Sequence, residues 1–127
     1  SIRQIVDNLV TNAIKYTPQG SRIEVLSQLE KGYNDFSKDS IEMVRFTVVD
    51  QGSGIPEHAR QEVFAPFKQL ANAKTVATPS TGLGLSVCKT IVERSGGKIW
   101  VENGKSGGAA FNFLLPADSA VGQKLID

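Results

Sequence analysis

The sequence has little of what marks several large classes of protein. Its one cysteine, Cys88, excludes a disulfide within the chain and favours a reducing compartment. It has no apolar run of membrane-spanning length, and we find no signal-peptide pattern. The formal net charge is only +1, so nothing indicates a surface for nucleic acid or an anionic membrane. What is left is an ordinary globular composition, with 127 residues to bury a core.

We predict that the chain is one domain of a longer protein. The chain opens at Ser1 and its single methionine is Met43. We expect the domain to occupy residues 1–116, followed by a C-terminal tail over residues 117–127. The patterns run helix, two strands, short helix, long irregular segment, helix and two strands. This order predicts an α+β fold with a helix layer on a largely antiparallel sheet.

The first predicted helix has an unusual polar face. At about 100° per residue, Gln4, Asn8, Asn12 and Lys15 lie on one side of it. The opposite side is apolar, with Ile2, Leu9, Val10, Ala13 and Ile14. Carboxamide oxygens can ligate Mg²⁺, and a lysine can bring a positive charge to a phosphate. A polar face that is simply solvated explains the same pattern, so this stretch alone decides nothing.

Alternating segments on either side of a polar run predict the first two strands. "RIEVLSQL" predicts a strand with Ile23 and Val25 on one face. "MVRFTVVD" predicts the returning strand, which ends at Asp50. The polar run between them, "EKGYNDFSKDS", predicts a long hairpin connection. Near the end of the chain, "KIWVENG" and "GAAFNFLLP" predict a second hairpin.

Two glycine-containing turns are candidate ligand sites. After Asp50, the glycines Gly52 and Gly54 let the backbone approach a flat ligand, and the carboxylate can accept the exocyclic amine of a purine. An ordinary turn with an Asx bond explains this stretch equally well. Gly82 and Gly84 precede a helix, whose free N–H groups can hold phosphates. The segment before them, residues 65–81, is long and aperiodic, which is typical of a functional lid.

Taken together and in order, these segments resemble a known family. "NLVTNAIKYTPQG", "DQGSGIP", "VFAPF" and "TGLGLS" resemble the N, G1, F and G2 boxes of sensor histidine kinases, from about Ile2 to Pro116. The superfamily, GHKL, also contains gyrase-type ATPases and related chaperones. The resemblance implies a two-layer α/β sandwich in which a five-stranded mixed, largely antiparallel sheet packs against three helices, with a flexible ATP lid.

The resemblance also implies ATP and Mg²⁺ as ligands and assigns the site residue by residue. Asn12 matches the Mg²⁺ ligand, Asn8 and Lys15 match residues that position phosphate, and Tyr16 matches an aromatic beside the adenine. Asp50 matches the adenine-reading aspartate. The remaining matches are the rest of the adenine pocket, the F box and the phosphate loop: Gly52, Gly54, Ile55, Phe64, Phe67, Thr81, Gly82, Leu83, Gly84 and Leu85. Lys68 and Lys74 of the lid are equal candidates for a γ-phosphate contact.

The resemblance implies that the chain is the catalytic domain of a protein-histidine kinase. Such a domain presents the γ-phosphoryl to a histidine on an upstream dimerisation domain, which passes it to the receiver domain of a response regulator. No acid or base is required of this chain. The parent would be a cytoplasmic homodimer, or the cytoplasmic part of a membrane-anchored sensor, and the isolated domain a monomer without affinity for nucleic acid.

Two alternatives stay open beside this hypothesis. GHKL ATPases, and protein-serine kinases of the superfamily, resemble this chain but tend to carry a glutamate where it has Asn8, and an amide cannot activate water. A degenerate ATP-binding module is the second alternative.

Four further residues have less conspicuous interpretations. His58 is the only histidine, and we expect it to be exposed rather than to accept phosphate. We expect Cys88 and Trp100 to be core residues. Ser80 stands where the G2 box often has another glycine, which would stiffen the lid hinge.

Overall fold

Two α-helices, four β-strands and two short 3₁₀ turns make up the regular structure of the described residues. The computed structural model describes residues 2–33, 38–65, 84–104 and 107–117. Within them, the helices are α1 (Ile2–Tyr16) and α2 (Gly84–Arg94). The strands are β1 (Glu24–Tyr33), β2 (Ser40–Val49), β3 (Lys98–Asn103) and β4 (Ala109–Pro116). None of the described helices has the length and hydrophobicity needed to cross a bilayer.

The sheet differs from the five-stranded mixed sheet that the resemblance implied. The described residues form four strands in the order β1-β2-β4-β3, and every neighbouring pair is antiparallel. Two hairpins, β1–β2 and β3–β4, account for the outer pairs. The chain between β2 and β3 returns through the helix layer and leaves β4 antiparallel to β2. A parallel pair is therefore absent from the described sheet, and the two-layer sandwich is otherwise as expected.

The β1–β2 hairpin is longer than predicted. Its polar residues were expected to form a connection, but strand pairing extends to Tyr33 opposite Ser40. Opposite charges stabilise this extension, because Lys31 pairs with Glu42 across the hairpin and the Arg45 guanidinium lies 2.8 Å from the Glu30 carboxylate. The extension projects past β4, whose register ends at Met43 opposite Pro116. Polar residues suit it because none of the described helices covers it there.

The core lies between the helix layer and one face of the sheet. Helix α1 contributes a stripe of Ile5, Leu9 and Ala13, spaced four residues apart, and all three are fully buried. Ile14, which was predicted on the apolar side, is 60% exposed, because one residue step rotates it about 100° off that stripe. Other buried members come from the strands and from α2: Val48, Phe111, Phe113, Leu115, Cys88 and Val92.

The opposite face of the sheet has no helix over it in the described structure and is built from polar contacts. The Thr47 hydroxyl donates to Asn112 Oδ1 at 2.7 Å, and Asn112 Nδ2 donates to the Glu102 carboxylate at 3.1 Å. Trp100 lies on this face, where the Arg45 guanidinium packs 5.0 Å from its ring centroid. Trp100 is therefore half-buried here and does not belong to the core, contrary to expectation.

The short helix predicted after Pro56 takes the form of two 3₁₀ turns. They cover Glu57–Ala59 and Glu62–Phe64, and they complete the helix layer. Phe64 packs edge-on against Phe111 with 6.2 Å between ring centroids, which anchors the second turn to the sheet. His58 is exposed, as expected.

Candidate functional site

A cleft opens at the end of β2, between the last turns of α1 and the turn that follows Asp50. It is a shallow cleft that is partly open to solvent. Residues from α1, the turn and β4 line it: Asn12, Tyr16, Asp50, Gly52, Ser53, Gly54, Ile55, Ala109 and Phe111. Six of these were predicted site residues from two separate motifs, which the fold brings together. Apolar walls and a few polar groups are typical of a small-molecule site.

Asp50 is held rigidly at the bottom of the turn. Its side chain is only 2% exposed. The backbone N–H groups of Gly52 and Ala109 both donate to its Oδ1, at 2.9 and 3.0 Å. Its own N–H donates to the Ala109 carbonyl at 2.9 Å, which continues the β2–β4 register by one residue. Both side-chain bonds that Asp50 makes with the described residues end on Oδ1, and a carboxylate has a second acceptor oxygen, Oδ2.

Gly52 and Gly54 allow this turn to pack closely on its neighbours. A Cβ on Gly52 would lie 2.6 Å from the Tyr16 carbonyl oxygen at the end of α1. Gly54 has φ +78°, and its Cβ would lie 2.7 Å from the Gly107 carbonyl oxygen. Side chains at either position would push the turn off its supports, so glycine is a steric requirement here.

The α1 residues divide between the cleft and the contact with α2. Asn12 and Tyr16 are one turn apart and both line the cleft. Asn8, a turn earlier, faces α2: its Nδ2 lies 3.5 Å from the Gly84 carbonyl and 3.6 Å from Cys88 Sγ. A carbonyl only accepts, so this contact directs the amide nitrogen of Asn8 to α2 and leaves its Oδ1 unused there. The Lys15 ammonium lies over Tyr16, 5.5 Å from the ring centroid.

The other predicted site residues fall behind the cleft or outside the described structure. Phe64 is a core residue that supports Phe111. Gly84 begins α2, and Leu85 packs against the core. The F-box and lid residues Phe67, Lys68 and Lys74, the hinge residue Ser80 and the phosphate-loop residues Thr81, Gly82 and Leu83 lie outside the described residues, and so does the predicted lid beyond Ala65.

Sequence reasoning missed Ser53, which lines the cleft from within the turn, and three residues from outside the turn that shape it. Ala109 and Phe111 reach it from β4, and Asn103 accepts the Ile55 N–H from behind it at 2.8 Å. The signal for Ala109 lies in strand register, because the residue opposite Asp50 can be found only once β2 and β4 are paired. Nothing in the sequence marks Asn103.

Cys88 is a core thiol, as expected. It is fully buried, and this burial raises the pKa of the thiol above its ordinary value. The contact with the Asn8 amide opposes that increase without cancelling it. The neutral thiol therefore persists in the folded protein beside the start of α2.

Comparison with known proteins gives this cleft a family context. Residues 1–119 match the family described as "Histidine kinase-, DNA gyrase B-, and HSP90-like ATPase". The chain belongs to this family. A sensory kinase, SasA of Nostoc sp., is 37% identical over 115 residues, which is 91% of this chain and 26% of SasA. The sensor histidine kinase WalK of Bacillus subtilis is 35% identical over 118 residues, 91% of this chain and 18% of WalK.

Solved structures of histidine kinases share the fold of this family member. The mycobacterial sensor histidine kinase MprB is 30% identical, with a TM-score of 0.68 over 89% of this chain and 70% of that one. The nucleotide-free catalytic domain of the histidine kinase ThkA is 35% identical, with a TM-score of 0.66 over 91% of this chain and 66% of that one. The chain thus corresponds to the ATP-binding part of such kinases and spans about a quarter of SasA.

Proposed function

We propose that the cleft binds ATP and that the domain presents its γ-phosphoryl to a histidine on an upstream dimerisation domain. The observation that carries this proposal is Asp50: a buried carboxylate in the lining of a largely apolar cleft, with its Oδ1 fixed by two backbone donors. Such a group is preorganised to accept a hydrogen bond from a flat, neutral base. Membership of an ATP-binding family names the base as adenine.

The polar residues of α1 suit the phosphate end of the nucleotide. Asn12 lines the cleft one turn before Tyr16, and its carboxamide oxygen is a ligand that Mg²⁺ accepts. When bound, Mg²⁺ would neutralise phosphate charge. Lys15 and the Oδ1 of Asn8 would position the phosphates, together with the first N–H groups of α2. The described residues contain no cluster of three or more His, Cys, Asp or Glu side chains that could hold a metal ion.

The chain contributes positioning and charge neutralisation rather than proton transfer. Asn8 stands where water-activating relatives carry a carboxylate, and an amide takes no proton from water at neutral pH. The acceptor imidazole is itself the nucleophile: its nitrogen forms the new bond to phosphorus as the bond to the β-phosphate oxygen breaks and ADP leaves. Holding the reactants in line supplies most of the catalysis in phosphoryl transfer.

The proposed partners follow from the relatives. SasA and WalK are sensory kinases of which this chain matches one part. We place the domain downstream of a dimerisation domain in a homodimeric, cytoplasmic or cytoplasm-facing kinase that passes phosphate to a receiver domain. The isolated domain would be a monomer.

Phosphotransfer with purified components tests this function. The isolated domain, the dimerisation domain of its parent protein and γ-labelled ATP should yield label on the acceptor histidine, and a His→Gln acceptor should stay unlabelled. The domain alone should release phosphate slowly. Phosphate release at the rate of a dedicated ATPase, or stable label on His58, would contradict the kinase function. ATP binding without any transfer would identify a degenerate module.

A further inference from the structure

The turn between β3 and β4 braces the candidate base pocket from behind. Its described residues are Asn103, Gly104 and 107–109, and the Gly104 N–H donates to the Gly108 carbonyl at 2.6 Å. The β3–β4 turn contacts both ends of the pocket turn, which covers residues 50–55. Ala109 exchanges two hydrogen bonds with Asp50, and Asn103 accepts from Ile55. One hairpin therefore contacts both ends of the pocket turn.

The Asn103 contact is the side-chain part of this brace. Its Oδ1 accepts the Ile55 N–H at 2.8 Å, and Ile55 is a buried residue that lines the cleft. The same oxygen lies 2.9 Å from where a Cβ of Gly54 would stand, so the turn rests directly on it. Asn103 itself is exposed and the hydrogen bond is partly buried. Without this acceptor the Ile55 N–H would lose its protein partner, and the turn would no longer be held at this position.

We propose that Asn103 is a positioning residue for base recognition. It does not line the cleft. By fixing Ile55 and Gly54, it keeps the apolar wall of the pocket at a set distance from the Asp50 carboxylate, so that a base can contact the wall and donate a hydrogen bond to Asp50 at the same time. This inference rests on the proposed function, because the base is adenine only if the cleft binds ATP. Preorganisation of this kind improves affinity by removing the need to order the loop on binding.

Two near-isosteric substitutions separate the hydrogen bond from the volume of the side chain. Asn103→Asp keeps an acceptor for the Ile55 N–H, and Asn103→Leu removes it. Asn112→Ala is the matched control, because Asn112 is also a hydrogen-bonded strand asparagine but faces the other side of the sheet. Binding of adenosine, ATP and GTP is measured for each protein by calorimetry well below its melting temperature. Native-state hydrogen exchange of the Ile55 amide is followed without any nucleotide.

The expected pattern is specific to positioning. Asn103→Leu should weaken adenosine and ATP by the same factor, about tenfold for one lost hydrogen bond, and narrow the preference for ATP over GTP. Asn103→Asp should remain within about threefold of the wild type. Asn112→Ala should lower stability without changing affinity or selectivity. Exchange at Ile55 should be slow in the wild type and in Asn103→Asp and fast in Asn103→Leu.

Two results would overturn the inference. One is wild-type nucleotide affinity and selectivity in Asn103→Leu. The other is a loss of affinity that merely follows the loss of stability across all three variants. A wild-type protein that binds no nucleotide would instead refute the proposed function, and the Ile55 exchange rates would still decide whether Asn103 positions the turn.

Discussion

At Asp50, two interpretations that compete in the sequence are compatible in the structure. The stretch "DQGSG" fits an Asx turn and fits a base acceptor. The structure shows the turn, because Gly52 N–H donates to Oδ1, and it shows that the same oxygen also receives Ala109 N–H. Both N–H groups donate to the same carboxylate oxygen, so these two bonds do not use the second oxygen, Oδ2. The turn therefore fixes one carboxylate oxygen while Asp50 stays in the lining of the cleft.

Replacing Asp50 by Asn should narrow the preference of the pocket for adenine over guanine. The two backbone donors require a carbonyl oxygen at the Oδ1 position, so the new amide NH₂ would occupy the Oδ2 position. It would face the exocyclic amine of adenine with a donor, at a cost of about 1–3 kcal/mol. ATP should bind about tenfold or more weakly, and the gap to GTP, which presents a carbonyl oxygen there, should narrow. Competition calorimetry with ATP and GTP measures both effects.

Asp50→Ala provides the control for this substitution. It leaves the Gly52 and Ala109 N–H groups without their acceptor and removes the acceptor for the ligand. It should therefore lower both the stability of the domain and its affinity for both nucleotides. Unchanged ATP affinity and selectivity in Asp50→Asn would reduce Asp50 to a turn residue.

Burial of Cys88 predicts how stability depends on alkaline pH. The raised pKa keeps the folded thiol protonated where the unfolded thiol has ionised, so the unfolded state binds fewer protons. The free energy of unfolding should therefore fall as pH rises through the ordinary value of 9.0. Urea unfolding at pH 7 and pH 10 should show a steeper decline for the wild type than for Cys88→Ala. Parallel declines in the two proteins would contradict a buried, neutral thiol.

On the scale of elements, the sequence predicted the helices and strands better than their lengths and faces. Period and turn residues located every described element, because those signals are local. The β1–β2 hairpin was predicted too short because its polar residues are stabilised by cross-strand pairs such as Lys31 with Glu42, which only the register reveals. The predicted buried face of α1 was rotated from the observed one for a similar reason. Ile14 is apolar, but tertiary packing buries the stripe of residues that lies one position away.

Two substitutions in α1 test this assignment of its packing face. Leu9→Ala removes a fully buried side chain and should lower the free energy of unfolding by about 2–5 kcal/mol. Ile14→Ala removes one that is 60% exposed and should change it by about 0.5 kcal/mol or less. Urea denaturation of both variants gives the comparison. Similar costs at the two positions would place Ile14 in the core.

For the whole molecule, motif order was more informative than any single motif. The asparagine pair, the glycine turn and the second glycine loop each had an ordinary explanation, and only their sequence along the chain indicated the family. The structure then added what no motif contains: the contributions of Ala109 and Phe111 from a strand about sixty residues beyond Asp50. Such contributions depend on β2 pairing with β4, which is a property of topology.

Ligand binding at the base end of the cleft, near Asp50, and at its phosphate end, near Asn12, should stabilise the folded domain independently. A ligand that binds only the folded state adds about 2.7 kcal/mol to the free energy of unfolding at 100 times its dissociation constant. Mg·ATP should therefore raise the melting temperature more than ATP with a chelator, and adenosine should give a Mg²⁺-independent increase. In Asn12→Ala the Mg²⁺-dependent part should disappear while the adenosine part persists, because Asp50 and the apolar walls are intact. In Asp50→Ala the main loss should be the increase in melting temperature that adenosine causes. Thermal unfolding under these conditions resolves the two contributions, and a full Mg²⁺ effect in Asn12→Ala would exclude Asn12 as the metal ligand.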